Sequence, residues 1–278
     1  MTMSSSPHSE TSAREAADNR HIYSKGDVVH HYADAEAKLK TAEAGIFKRI
    51  GAELRDRKLL DIGVGAGRTT PHLLALSHSY VGVDYSPEMV AVCAAKYPGV
   101  RFLEADARRL DQLGLGGFDF VFFSFNGIDS IDGEGRVQVL RQVFEILNPG
   151  GLFLFSSHNL RVEPEKPWDL GLYRWSRRPS VLWECLAEML SNCRNYRRQA
   201  ANRWRGDGFA MVTDSGHGFR LLHYYVDPVE QVRQLQELGF LSVEAFDGRG
   251  VARSLDAPEL NATPHVHYVA RKPVAAAG

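Results

Sequence analysis

The chain has 278 residues, 44% hydrophobic and 24% charged, with a formal net charge of -1. This is globular composition, long enough for one large domain or a domain with an insertion, and the balanced charge argues against general attraction to nucleic acid or membrane surfaces. No apolar run approaches the roughly 20 residues of a membrane span, and the N-terminus lacks the basic start and apolar core of a secretion signal. Cys93, Cys185 and Cys193 make an odd, sparse set, expected to be reduced thiols in a cytoplasmic protein. No Cys/His spacing in the chain suggests a metal site.

Residues 1–20 are rich in Ser, Ala, Glu and Asp, the pattern of a disordered tail. Across 21–57, Val28, Val29 and Tyr32, then Leu39, Ala42, Ile46, Phe47 and Ile50, recur at helical spacing and predict two helices. Tyr23, His30, His31 and Tyr32 in this stretch either pack and meet solvent or cover a ligand. A strand, turn and helix follow at 58–76. Leu59, Leu60 and Ile62 suit a buried strand, glycine then stands at 63, 65 and 67, and Leu73, Leu74 and Leu76 suit a helix packed back on the strand. Free backbone N–H groups at such a turn favour a ligand with anionic or polar groups. The spacing is not the dinucleotide pattern G-x-G-x-x-G, because Arg68 holds the place of the last glycine. Asp61, two positions before Gly63, disfavours a nearby pyrophosphate and suits a cation or a hydrogen-bond donor such as an ammonium group.

The second strand, 80–84, ends in Asp84, and Ser86 and Pro87 then open a helix as N-cap and first-turn proline. Asp84 lies 21 positions after Gly63, where a carboxylate can accept hydrogen bonds from both ribose hydroxyls of a nucleoside. The third strand, 100–104, leads into Asp106-Ala107. The fourth, 118–126, is almost continuously apolar, as a central parallel strand covered on both faces should be, and ends in Ser124-Phe125-Asn126. A helix at 136–147 is stopped by Asn148-Pro149-Gly150-Gly151. The fifth strand, 152–158, ends in His158. The alternation then breaks. Residues 160–226 carry many arginines and all four tryptophans. Here 181–203 reads as a helix, while 208–213 and 219–226 read as a hairpin joined by 214–218. Asp227-Pro228-Val229-Glu230 reads as a capping box. Strands at 241–246 and 265–270 close the chain, the last one antiparallel.

Asp61-x-Gly63-x-Gly65-x-Gly67, Asp84 ending the second strand, Asp106 after the third, the apolar fourth strand and Asn148-Pro149-Gly150-Gly151 before the fifth together resemble the class I S-adenosylmethionine-dependent methyltransferases of small-molecule type. The resemblance implies an α/β fold: a Rossmann-like, seven-stranded, mostly parallel sheet with an antiparallel last strand, helices on both faces and a lid insertion between strands five and six. The divisions expected are a tail at 1–20, helices covering the cofactor at 21–57, a cofactor-binding core at 58–159, a substrate-binding lid at 160–226, the rest of the core at 227–273 and a tail at 274–278.

The implied cofactor is S-adenosylmethionine, leaving as S-adenosylhomocysteine. Its amino-acid end would lie near Asp61 and Gly63, with Gly65, Gly67 and Arg68 completing the turn. The ribose would lie at Asp84 beside Tyr85 and Met89, and the adenine at Asp106 and Ala107, unless Asp106 only caps its turn. Ser124 and Phe125 would lie beside the reactive methyl, with Tyr23 and Tyr32 as cover. The catalytic candidates are His158, His223 and Asn126. His158 is the first choice of base, with His30 as a further candidate and Tyr224 as a hydrogen-bonding partner; an amine attacking in its neutral form needs no base. The arginines of 160–226 suggest an anionic acceptor and its tryptophans a planar one, unless they form a solvated face and its core. The activity implied is transfer of a methyl group to N or O of a small molecule by in-line displacement. The alternatives are an RNA methyltransferase using the Arg-rich insertion, a non-catalytic cofactor-binding regulator and, last, an NAD-dependent dehydrogenase. No metal, membrane or nucleic-acid partner is expected, and the oligomeric state is left open.

Overall fold

The computed structural model describes residues 37–274. Tyr23, His30, His31, Tyr32 and the chain ends lie outside them. The described strands are β1 (Leu59–Ile62), β2 (Tyr80–Asp84), β3 (Arg101–Glu104), β4 (Phe118–Phe123), β5 (Leu147–Asn159), β6 (Trp204–Arg205), β7 (Phe209–Val212), β8 (His223–Val226), β9 (Ser242–Phe246), β10 (Ala252–Arg253) and β11 (His265–Arg271). The helices are α1 (Thr41–Ile50), α2 (Thr70–Leu74), α3 (Pro87–Lys96), α4 (Gly133–Ile146), α5 (Pro179–Arg198), α6 (Pro228–Glu237) and α7 (Pro258–Asn261). The main sheet runs β10-β9-β11-β5-β4-β1-β2-β3. The strands from β3 to β5 pair parallel, and β11 pairs antiparallel with both β5 and β9. The seven expected strands are all present, and β6, β7, β8 and β10 are additional short ones.

The strand period sorts the apolar residues onto two faces. Leu59, Phe120, Phe122, Leu152 and Leu154 point to the side covered by Ile46 and Ile50 of α1. Their chain neighbours Leu60, Val121, Phe153 and Phe155 point to the side covered by Val139, Leu140 and Val143 of α4 and Leu235 of α6. The run of β4 is apolar because both faces are covered. Each of its phenylalanines contributes about 1.5–3 kcal/mol by leaving water, and Phe47 adds edge contacts at 6.0 and 5.5 Å to Phe120 and Phe122.

Part of the insertion joins the sheet. β5 runs for 13 residues, but β4 follows it only to the Phe123–Phe155 pair. The rest of β5 would expose unpaired backbone groups on that side. β8 takes the place, pairing parallel through His158–Tyr225 and Asn159–Val226, and β7 pairs antiparallel with β8. The hairpin is therefore real, but its second strand is shorter than the sequence suggests. Likewise α5 ends at Arg198, short of 203, and β6 follows. The capping box before α6 has one arm only. Asp227 accepts from the Val229 N–H at 2.8 Å, but its own N–H donates to Gly208 O, and Glu230 pairs with Arg233.

Candidate active site

The glycine turn lies between β1 and α2 at the C-terminal edge of the sheet. Gly63 (φ +63°) needs to be glycine, since a Cβ there would stand 2.9 Å from Phe123 Cε2. At Gly65 (φ +55°) a Cβ would meet nothing within 4 Å, which leaves a cradle open to the cleft. The Gly65 N–H donates to Asp84 Oδ2 at 2.8 Å, and Asp84 Oδ1 accepts from the Ser86 N–H at 2.9 Å. Burial raises the Asp84 pKa against these bonds.

Two residues of the motif do not reach the cleft, and they correct the expectation that the whole turn touches a ligand. Asp61 is buried beneath the turn, where its Oδ2 accepts from Thr69 Oγ1 at 2.6 Å and Tyr80 OH at 3.1 Å while Oδ1 has no hydrogen-bond partner. Burial pushes its pKa up to about 7. Gly67 is covered by Tyr97, whose hydroxyl donates to Gly67 O at 3.0 Å. Arg68 lines the cleft, but its guanidinium forks onto the buried Glu43 at 2.7 and 2.8 Å, clamping α1 to the turn. Asp106 caps its own turn and pairs with Arg108 at 2.6 Å.

A cleft of about 1150 Å³ runs from this turn along the sheet edge, more than one drug-sized ligand needs. Gly63, Gly65, Asp84, Tyr85, Met89, Asp106 and Ala107 line one end. In the middle, Ser124, Phe125 and Asn126 leave β4. Phe125 and Asn126 are consecutive non-glycine residues in the left-handed region (φ +54° and +55°), a conformation that costs energy and clusters at functional sites. Lys40 Nζ and Arg68 Cζ lie 4.7 and 5.7 Å from the centre of the Phe125 ring, which is half exposed. The Asn126 N–H donates to Ser156 Oγ at 2.9 Å, and its buried Oδ1 has no hydrogen-bond partner.

At the far end β5, β8 and β11 bring four aromatic side chains together. The His158 ring stacks on Tyr225 at 4.6 Å and on His223 at 5.3 Å, with His265 edge-on at 4.9 Å. His158 Nδ1 lies 2.7 Å from Asp129 Oδ2, which also accepts the His158 backbone N–H. Asp129 is fully buried and ion-paired with Arg136, which reaches Ser157 Oγ and Gln231 Oε1 as well. Burial would raise the Asp129 pKa, but Arg136 and His158 bring it below the ordinary value. His158 Nε2 faces Asp214 Oδ2 at 3.7 Å. That oxygen accepts from His223 Nδ1 and Tyr225 OH, each at 2.9 Å. Burial opposes a charge on His223, but Asp214 outweighs it and raises the pKa; burial holds His265 down at about 4.

His158, His223 and Asn126 thus share the cleft with Gly65, Asp84 and Asp106, and Tyr224 lies on the opposite face of β8, under the Arg136 guanidinium. Sequence reasoning missed Asp129, Tyr225 and Glu43, and took Asp214 only as a turn residue. The arginines and tryptophans of 160–226 do not line the cleft. Its walls there are Glu163, Glu165, Asp214 and histidines, so the argument for an anionic acceptor loses its basis.

The arrangement is that of an α/β fold with one cleft along the C-terminal edge of its sheet. A methyltransferase-domain family matches residues 59–151. An uncharacterised methyltransferase of Oceanobacillus iheyensis is 26% identical over 117 residues, 42% of this chain and 54% of that protein. A demethylmenaquinone methyltransferase of Chlorobaculum tepidum is 32% identical over 98 residues, 35% of this chain and 39% of that protein. The chain thus spans about half or less of the length of most curated relatives it matches. Among solved structures, the 1,6-didemethyltoxoflavin-N1-methyltransferase of Burkholderia thailandensis shares the fold, with a TM-score of 0.55 and 18% identity over 98% of this chain and 93% of that one. Residues 59–151 are therefore similar to the methyltransferase domain of S-adenosylmethionine-dependent enzymes. No described helix is long and apolar enough to cross a membrane.

Proposed function

We propose that this chain is a cytoplasmic enzyme that moves a methyl group from S-adenosylmethionine to N or O of a small molecule. The observation that carries this reading is one continuous cleft joining the Gly65–Asp84–Asp106 end to the His158–Asp214–His223 end. The open space over Gly65 and the unpartnered Asn126 Oδ1 fit a bound nucleoside and a polar group beside it. S-adenosylmethionine supplies an already activated methyl on sulfur. The work left to the chain is alignment and exclusion of water, and orientation of this kind is worth about 7–11 kcal/mol of barrier.

In this reading Asp84 takes the ribose hydroxyls and Asp106 with Ala107 flanks the base. Gly63 and Gly65 let the backbone approach the amino-acid part, and Asn126 orients the reacting groups. His158 and His223 meet the acceptor nucleophile, with Asp129 fixing the tilt of the His158 ring. The acidic and imidazole walls favour an acceptor with hydrogen-bond donors. The insertion's arginines lie outside the cleft, so they do not form the basic groove that an RNA acceptor would use. The relatives' printed names agree, since the toxoflavin enzyme was solved with a small-molecule acceptor and S-adenosylhomocysteine.

Thermal denaturation with S-adenosylmethionine, S-adenosylhomocysteine and NAD tests the cofactor; both sulfur nucleosides should stabilise the fold, and stabilisation by NAD alone would overturn the reading. Methyl-labelled S-adenosylmethionine added to separated metabolite and RNA pools tests the acceptor. Label in the small-molecule fraction is the expected result, and label only in RNA contradicts it.

A further inference from the structure

The far end of the cleft holds a set of donor atoms that methyl transfer alone does not require. One donor atom from each of His158, Asp214 and His223 lies within 4.8 Å of the other two. Nε2 of His158 is 3.7 Å and Nδ1 of His223 is 2.9 Å from Asp214 Oδ2. Three ligands each about 2.0–2.2 Å from one ion would be spaced within this range, so the set can close on a single cation with small ring rotations. Two imidazoles and one carboxylate on adjoining segments, with the remaining side open to a cleft, form the donor set that leaves coordination positions for a substrate.

A further contact strengthens the reading. A metal-bound imidazole commonly has its other ring nitrogen held by a carboxylate, which fixes the tautomer and aims the ligating nitrogen. His158 has that arrangement: Nδ1 sits 2.7 Å from Asp129 Oδ2, and Asp129 is anchored by Arg136 and by Ser157 Oγ at 2.8 Å. Nε2 is thereby aimed at Asp214. Asp214 is pinned in its turn, its Oδ1 accepting from the Gly216 N–H at 2.9 Å. On binding, the cation would replace the His223–Asp214 hydrogen bond, while Tyr225 OH keeps its bond to Asp214.

We infer that His158, Asp214 and His223 bind one divalent transition-metal ion, of the zinc, cobalt, manganese or iron(II) type, at the acceptor end of the cleft. The inference rests on the reading that this end receives the acceptor. The ion would hold an acceptor hydroxyl, whose oxygen keeps a lone pair for attack, and make its proton easier to lose. In the transfer the acceptor's lone pair forms the new bond to the methyl carbon, the carbon–sulfur bond breaks, and its electron pair leaves on a neutral thioether. The acceptor proton passes to water, and no redox change occurs. His158 then works as a ligand, so its role is to position the acceptor rather than to take its proton.

The test uses the full chain, free of any affinity tag and stripped with chelator. Titration with Zn2+ and with Co2+ is followed by calorimetry and, for Co2+, by visible absorption. One ion per chain is expected at micromolar affinity or tighter, with cobalt bands of imidazole–carboxylate coordination. His223→Ala and Asp214→Asn should each weaken binding at least tenfold, and the exposed His78→Ala should leave it unchanged. Because the two site variants are buried and could misfold, the wild-type chain is also melted with and without Zn2+, where a rise in Tm is expected. Absence of stoichiometric binding by the wild type, or binding that the folded His223→Ala retains in full, overturns the inference. S-adenosylhomocysteine is titrated into the same stripped sample. Nucleoside binding without metal binding sinks only the metal site, whereas loss of both sinks the family reading of the cleft too.

Discussion

The two ends of the cleft are built in opposite ways. The end proposed for the nucleoside is local, since Gly63, Gly65 and Asp84 sit on one strand–turn–helix–strand unit, with a hydrogen bond spanning 19 positions between Gly65 and Asp84. The acceptor end is assembled from afar: Asp129 meets His158 across 29 positions, and His158 meets Asp214 only because β8 pairs with the overhang of β5. Local geometry can be specified by a short motif. An assembled geometry depends on the register of two strands, and here that register rests on two residue pairs.

The largest effect that should break one end and spare the other is Arg136→Ala. It leaves Asp129 as a buried charge without its partner, which costs about 3–5 kcal/mol. Urea denaturation should show a loss of that order, while the folded fraction binds S-adenosylhomocysteine within twofold of wild type. A loss under 1 kcal/mol would mean that the ion pair does not hold the acceptor end together.

A change of pH probes the other end. The Asp61 carboxyl titrates near 7 in the folded chain because it is buried, against about 3.9 in an unfolded one. The folded state therefore binds its proton more tightly. Stability from this group is fully present at and below about pH 4, falls as pH rises to about 7 and then levels, by up to a few kcal/mol. Asp84 is shifted in the same direction. Asp61→Asn should flatten the decline between pH 5 and 8 in thermal melts, and an unchanged slope would show that Asp61 is ionised throughout. Thr69, Tyr80, Arg68 and Glu43 are the groups that face it.

The smallest expected effects are a matched pair that sharpens the contrast. Gly65→Ala puts a methyl into the open cradle in a left-handed conformation, which costs about 1–2 kcal/mol. Affinity for S-adenosylhomocysteine should fall at least tenfold, with the acceptor KM little changed. His158→Ala should do the reverse, misplacing the acceptor, lowering kcat about 100-fold and leaving nucleoside affinity intact. If each variant disturbs both constants, the two ends are not separable.

This division also explains what could be read from the chain alone. Short apolar runs, alternating only in the last, mark the seven main strands, and Ser86, Pro87 and Asp227 mark the starts of two helices. Gly63 and Asp84 carry their meaning in type and spacing. Asp129 could not be found that way, because it lies on a short turn of Gly127–Ser130 whose fate is decided by a buried partner on α4. Asp214 had turn chemistry as its visible signal, and it does cap that turn; its second oxygen serves the site only through tertiary pairing. The arginines of 160–226 misled for the same reason. Side-chain type was legible, but which way the helix faces was not.

The short seam between β5 and β8 has a consequence for how such a protein changes over time. Residues 160–226 enter and leave the sheet edge at neighbouring points, since Leu160 N–H already bonds Val226 O at 3.1 Å. The stretch leaves and rejoins the sheet at one place, so the part of it ahead of β6 can change in length without straining β5, while β7 and β8 stay held by the sheet. A lineage could exchange this cassette and acquire a new acceptor while inheriting the nucleoside grip unaltered.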